Sequence, residues 1–245
     1  MWANWFEQSK FHAQCLPLID INPLNDDRPL TATWHKLQQL GQVQLVVFVS
    51  PNAVEQFFRA RPASCLWPAS CQIGSLGPGT TAALQARGVG LCQIVQPARD
   101  AVQFDSEALW QQLIGQSWTG TNAWIVRGLK GREWLGQQLE QSGASVQYLS
   151  AYERQTPCWS EDERALFDAA LRQPRHYLWL FSSSQCIEEL QIRMPDVSAA
   201  AAMYVGSVAV CTHPRIEARA REAGFAHSFC TRPDFPAVLA CIQSF

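Results

Sequence analysis

The chain lacks any apolar run near the roughly 20 residues that a membrane-spanning helix needs. Its longest strand-like apolar run is Leu45–Val49, and the Ala-rich stretch 197–211 is too short and carries Ser and Gly. The sequence therefore reads as one without a membrane partner. No basic region followed by an apolar core opens the chain, so MWANWFEQSKFH is not read as a secretory signal. There is no excess of positive charge: the formal charge is -2 and the pI about 6.2. A general nucleic-acid binder would need a basic footprint, so no nucleic-acid partner is expected. A small anionic ligand remains open, because a local patch suffices for it.

Metal and nucleotide signatures are missing as well. The nine cysteines are irregularly spaced and form no C-x-x-C pair, and no two of the five histidines stand four apart. Neither a zinc site nor a disulfide framework is expected, and the cysteines read as buried reduced thiols of a cytosolic protein. Gly77-Pro78-Gly79 lacks the third glycine of a dinucleotide fingerprint, and Arg127-Gly-Leu-Lys-Gly-Arg132 lacks the Walker spacing. No G-x-S-x-G occurs and no Ser/His/Asp set can be placed, so nothing argues for covalent catalysis.

What is present is an alternation of short apolar runs and helical patterns. Hydrophobic residues make up 47% of the 245 positions, enough for one large domain or two smaller ones. Leu45–Val49 reads as a buried strand, followed by Ser50 as a cap, Pro51 in the first turn and a helix to Arg59. Gln72–Gly74 leads through Gly77-Pro-Gly-Thr80 to a helix closed by Gly88. Ala123–Val126 is a strand, 127–131 a loop, Arg132–Ser142 a helix stopped by Gly143, and Ser145–Ala151 a strand. Tyr177–Phe181 is a strand before Ser182-Ser-Ser184 and a helix over Gln185–Gln191. Ala201–Val205 and Val208–Cys211 are strand-like, and a helix from His213-Pro-Arg215 closes at Gly224. Such alternation predicts an α/β fold with parallel sheets.

The chain also echoes itself. VVFVSPNAVEQF resembles LWLFSSSQCIEEL, placing Ser50 and Ser182 132 positions apart, and the closing glycines Gly88 and Gly224 stand 136 apart. Two like-built halves are expected.

The turns share one physical property: each joins the C-terminal end of a strand to the N-terminus of a helix. There the first N–H groups lack internal partners and the helix dipole is positive, so anions bind readily. Ligands of open α/β sheets sit at such ends. Taken singly each turn is an ordinary cap; together the turns after Val49, Gly74, Val126, Phe181 and Cys211 suggest a ligand with several acidic groups. Tyr152 reads as standing in a polar context between a strand and a Pro-containing linker. From spacing alone a structural tyrosine is the simpler reading, although a hydroxyl there is able to donate a proton.

The segments FVSPNAVEQF, IGSLGPGTTAAL, WIVRGLKGREWLGQQLEQSGASVQYLSAYERQTP, LFSSSQCIEEL and HPRIEARAREAGF, taken together, resemble the uroporphyrinogen-III synthases of tetrapyrrole biosynthesis. The match runs in order from about residue 13 to 245, and its most specific part is R-G-x-x-G-R-E-x-L followed by Tyr-x-Arg.

The resemblance implies two flavodoxin-like parallel-sheet domains joined by a two-stranded connector. Residues 22–146 would form the inserted domain, and residues 1–16 with 157–245 the other. Cys15–Ile21 and Gln147–Gln155 would be the connector strands. It implies that hydroxymethylbilane, a linear tetrapyrrole polycarboxylate, is closed with inversion of ring D and loss of water, without metal or other cofactor. Tyr152 aligns with the family's proposed acid. The expected substrate donors are Ser50, Asn52, Thr80, Gly128, Ser182, Ser183 and Arg215, largely through backbone N–H groups. Arg127, with Lys130 and Arg132, would add charge or form a solvated basic loop. A cytoplasmic monomer is expected, with a transient contact to the enzyme of the preceding step.

The start departs from the family pattern. Leu16-Pro17-Leu18-Ile19 fits a later strand and Trp2 and Phe6 fit the helix before it, so the first strand of the first domain and its Thr-Arg-Pro-like turn have no counterpart. Either an upstream in-frame extension encodes them, or the form is shortened. The competing functions are a non-catalytic tetrapyrrole- or anion-binding protein of the same fold and, further off, a two-lobed receptor for another small anion.

Overall fold

The computed structural model describes Phe6, residues 11–39 and residues 41–245. The chain folds as two units. One holds the described residues up to Asp20 together with Gln155–Phe245; the other is Ile21–Arg154. The helix expected around Trp2 lies outside the described residues apart from Phe6, which is helical and buried, its ring edge-on to Phe235 at 5.3 Å.

In the unit Ile21–Arg154 the strands are β1 (Asp20–Pro23), β2 (Leu45–Phe48), β3 (Gln72–Ser75), β4 (Ile94–Val95), β5 (Asn122–Gly128) and β6 (Ser145–Gln155). They form one sheet in the order β1-β6-β5-β2-β3-β4, with β6, β5, β2, β3 and β4 running parallel. The intervening helices are α1 (Arg28–Leu37), α2 (Pro51–Arg59), α3 (Pro78–Ala86), α4 (Ser106–Leu113) and α5 (Trp134–Gln141).

The run Leu45–Phe48 is apolar throughout because both faces of the sheet are covered. Val46 and Phe48 pack with Trp34, Phe57, Phe58 and Leu84 from α1, α2 and α3. Leu45 and Val47 pack with Leu109, Leu113, Leu135 and Leu139 from α4 and α5. Alternation along a strand thus sorts the chain into three layers. Each fully buried side chain of this size contributes about 1.5–3 kcal/mol of transfer free energy. Trp34 is the hub of the first layer: its indole N–H donates to the Phe57 carbonyl at 2.9 Å and its ring meets Phe57, Phe58 and Trp67.

The other unit has α6 (Glu161–Arg172), β7 (Leu178–Phe181), α7 (Ser184–Ile192), α8 (Val197–Gly206), β8 (Val208–Cys211), α9 (Pro214–Ala223), β9 (His227–Cys230) and α10 (Phe235–Gln243). Its sheet runs β7-β8-β9, all parallel; among the described residues β7 pairs with β8 alone. Phe181, Ile187, Leu190, Met203 and Ile216 form the core, which also takes in Leu18.

Several sequence expectations need correction. Residues 201–205 are not a strand; they lie in α8. Asp196 accepts from the Ala199 N–H and starts a helix there, and the alanine run favours its continuation. The strand beside β6 is Asp20–Pro23 rather than Cys15–Ile21. Pro17 cannot donate to a ladder, and its carbonyl instead accepts the Trp159 indole N–H at 2.5 Å. Arg127 and Gly128 close β5 rather than open a loop, and α5 begins at Trp134, not Arg132.

Candidate active site

All the strands flanking β2 run parallel to it, so the turns after β2, β3 and β5 share one edge of the sheet. Ser50 caps α2 as expected: its backbone is extended and its Oγ accepts from the Ala53 N–H at 3.1 Å, with Pro51 in the first turn. Asn52 follows it, exposed. The turn after β3 lies against this one, since a Cβ on Gly79 would sit 3.6 Å from Pro51 Cγ. Thr80 is in the first turn of α3 and only 4% exposed. Ser75, Gly77 and Thr81 hold this turn together: Ser75 Oγ donates to the Gly77 carbonyl at 3.0 Å and accepts from Thr81 Oγ1 at 2.9 Å.

Tyr152 departs from the sequence reading. It is not at a polar strand end but inside β6, fully buried among the residues of the first layer. A β-bulge explains its direction. Arg127 pairs with Ser150 and the next residue, Gly128, pairs with Tyr152, so Ala151 is left over. Without that extra residue Ala151 and Tyr152 would point to opposite faces; with it both pack in the same layer.

From β6 the tyrosine ring must cross β5 to reach the end of β2, two strand spacings or about 9–10 Å away. Gly128 permits this. A Cβ there would lie 3.0 Å from Tyr152 Cε2 and 3.2 Å from Cζ. The hydroxyl then reaches Ser50 Oγ at 3.2 Å. Arg154, two residues on and so on the same side of the strand, donates from Nη2 to the Tyr152 hydroxyl at 3.4 Å. Sequence reasoning singled out Tyr-x-Arg as a pattern but gave Arg154 no part; its i, i+2 spacing on a strand was the available signal.

Arg127 is committed to its own loop. It donates from Nη1 to the Gly131 and Arg132 carbonyls at 3.0 and 3.4 Å, meets Glu133 at 3.3 Å, and lies 4.1 Å over the Tyr148 ring. Burial, with Glu133 and Glu140 near, pushes the Tyr148 hydroxyl above its ordinary range, and it donates to the Glu133 carbonyl at 3.2 Å. Arg132 pairs with Glu107 at the start of α4, which holds the guanidinium more firmly in its charged form. Lys130 remains exposed at the tip.

The second unit has a comparable edge of its own. Ser183, not Ser182, is the cap of α7 and makes no side-chain cap bond; Ser182 is exposed before it. At the start of α9, His213 Nδ1 accepts the Arg215 N–H at 3.0 Å, and the Arg215 Nη2 lies 3.4 Å from its Nε2. Arg215 itself is exposed in the first turn. Among the described residues no group of His, Cys, Asp and Glu could hold a metal ion, and no helix is long and apolar enough to cross a membrane.

Residues 2–240 match the family described as uroporphyrinogen-III synthase HemD. The chain belongs to that family. Uroporphyrinogen-III synthesis, a step of tetrapyrrole and haem biosynthesis, is the function this membership assigns, and a non-catalytic binding role is not favoured. Solved structures agree in fold. A selenomethionine-labelled mutant uroporphyrinogen III synthase of the extremely thermophilic bacterium Thermus thermophilus is similar at 15% identity and a TM-score of 0.63, over 100% of this chain and 92% of the other. The uroporphyrinogen-III synthetase of Helicobacter pylori is similar at 13% identity and a TM-score of 0.58, over 96% of each chain.

Proposed function

We propose that the chain dehydrates and cyclises hydroxymethylbilane with inversion of ring D, and that Tyr152 supplies the acid. The supporting observation is the Tyr152 hydroxyl, carried by a bulge and an accommodating glycine to the capping serine at the end of β2. Departure of the hydroxymethyl oxygen as water needs a proton and leaves an azafulvene cation. A spiro intermediate then forms, fragments and recloses the macrocycle the other way round.

Much of the task is positioning, because the free chain closes spontaneously without inversion. Holding the reacting ends in one geometry is worth several kcal/mol of barrier. In the unit Ile21–Arg154, substrate carboxylates would be received by the backbone N–H groups of Ser50, Asn52 and Thr80 at the N-termini of α2 and α3; in the other unit, the backbone N–H groups of Ser182 and Ser183 at α7 and Arg215 at α9 offer the same kind of donor. Gly128 and Arg127 we assign to shaping the edge rather than to binding, since one receives the Tyr152 ring and the other clasps its own loop. The reaction as read needs no cofactor.

The test is an assay with freshly made hydroxymethylbilane, the product oxidised and its isomers separated. Isomer III in excess supports the reading; isomer I alone, at the uncatalysed rate, overturns it.

A further inference from the structure

A buried acid raises a geometric question. Tyr152 has 0% exposure and sits within the apolar layer, whereas Ser50, its hydrogen-bond partner, is half-buried at the end of the strand. The direction of the bonds around the pair follows from counting protons. Arg154 can only donate, so Tyr152 Oη spends a lone pair on Arg154 Nη2 at 3.4 Å. Ser50 Oγ already accepts from the Ala53 N–H at 3.1 Å and has one further lone pair. Tyr152 is fully buried and Ser50 only partly so, and the arrangement that leaves no fully buried donor unpaired runs Arg154 Nη2–H to Tyr152 Oη and Tyr152 Oη–H to Ser50 Oγ, which leaves the Ser50 proton for a ligand.

We infer that Ser50 is the residue that hands the proton to the departing hydroxyl, and that Tyr152 acts through it as a positioning residue and proton source. This rests on the assignment of Tyr152 to acid catalysis above. As the C–O bond of the hydroxymethyl group breaks, its electron pair leaves with the oxygen. That oxygen takes the Ser50 proton and departs as water; Ser50 takes the Tyr152 proton. The tyrosinate so formed faces the Arg154 guanidinium and balances the charge of the azafulvene cation. The proton released when the closing pyrrole regains aromaticity restores the relay, so the overall reaction changes only by the loss of water. Both ends of the relay are electrostatically set: the helix N-terminus supports Ser50 through the Ala53 N–H, and Arg154 supports the tyrosinate.

The test compares four forms for the initial rate of isomer III formation: wild type, Ser50→Gly, Tyr152→Phe and the double variant. Glycine is a tolerated cap, so Ser50→Gly keeps α2; a melting curve checks it. The relay predicts that Ser50→Gly lowers kcat about 100-fold with KM little changed. It predicts that the double variant is no slower than Ser50→Gly alone, and that Ser50→Thr restores most of the rate. If Tyr152→Phe is slow but Ser50→Gly keeps its kcat, or the two losses multiply, the relay is wrong and Tyr152 acts directly. If Tyr152→Phe matches the wild type, the underlying assignment of Tyr152 fails as well. Loss of rate through KM alone in Ser50→Gly, unrescued by threonine, gives the Ser50 side chain a binding role in place of proton transfer and overturns the inference.

Discussion

The Tyr152 hydroxyl lies 3.2 Å from Ser50 Oγ although 102 positions separate the two residues. Three local facts produce this contact: the bulge at Ala151, the missing side chain at Gly128 and the capping geometry of Ser50.

Gly128→Ala places a methyl 3.0 Å from the tyrosine ring, inside normal contact distance. The ring is fully buried and has nowhere to yield. The substitution is expected to destabilise the fold by about 1–3 kcal/mol and to slow isomer III formation. Urea unfolding and the initial rate measure the two effects; a variant as stable and as fast as wild type would refute the packing account.

Gly136→Ala tests the loop clasp from the other side. A Cβ there would fall 2.0 Å from Tyr148 Oη. The tyrosine must swing away, losing its bond to the Glu133 carbonyl and its place under Arg127. A loss of about 1–3 kcal/mol is expected, together with faster protease cleavage within residues 129–133. Unchanged stability and cleavage would show that the clasp does not hold the loop.

The pair Arg132–Glu107 should matter much less. Both side chains are substantially exposed, and such pairs contribute about 0–1 kcal/mol. Glu107→Gln is expected to shift unfolding by less than about 1 kcal/mol at low salt and by nothing measurable in about 1 M salt. A larger, salt-independent loss would mean the pair is effectively desolvated.

Two thiols make stability depend on alkaline pH. Burial pushes Cys71 and Cys211 up to about 12, against an ordinary value of 9.0. Since the folded state holds these protons more tightly, their contribution is complete below about pH 9 and is lost as pH rises from 9 toward 12. The slope approaches about 1.4 kcal/mol per pH unit per thiol. Unfolding free energies between about pH 8 and 10.5 should therefore fall, and fall less steeply in Cys71→Ala. Parallel slopes for the two proteins would count against the burial of that thiol.

Much of this fold was legible because local chemistry repeats it. Val46 and Phe48 against Leu45 and Val47 declare a strand covered on both faces, and Ser50-Pro51 declares the helix after it. The glycines at 88 and 224 both take left-handed backbone at helix ends, as their matching positions suggested. The run 201–205 misled because Met-Tyr-Val carries strand-like side chains, while the deciding residue, Asp196, lies outside it. The bulge was invisible because nothing in a linear sequence says which residue a ladder will leave unpaired, and with it went the burial of Tyr152. Arg127 reads in the sequence as an added charge or part of a solvated basic loop because its partners, the backbone carbonyls four and five residues on and the Glu133 side chain, are not revealed by composition.

The measurement closest to the central claim is the initial rate of isomer III formation by Tyr152→Phe, a substitution that removes one oxygen and leaves the ring in place. The account predicts a folded protein with turnover well below wild type yet above the uncatalysed background, because positioning at the helix N-termini survives. A variant that forms isomer III at the wild-type rate would contradict it.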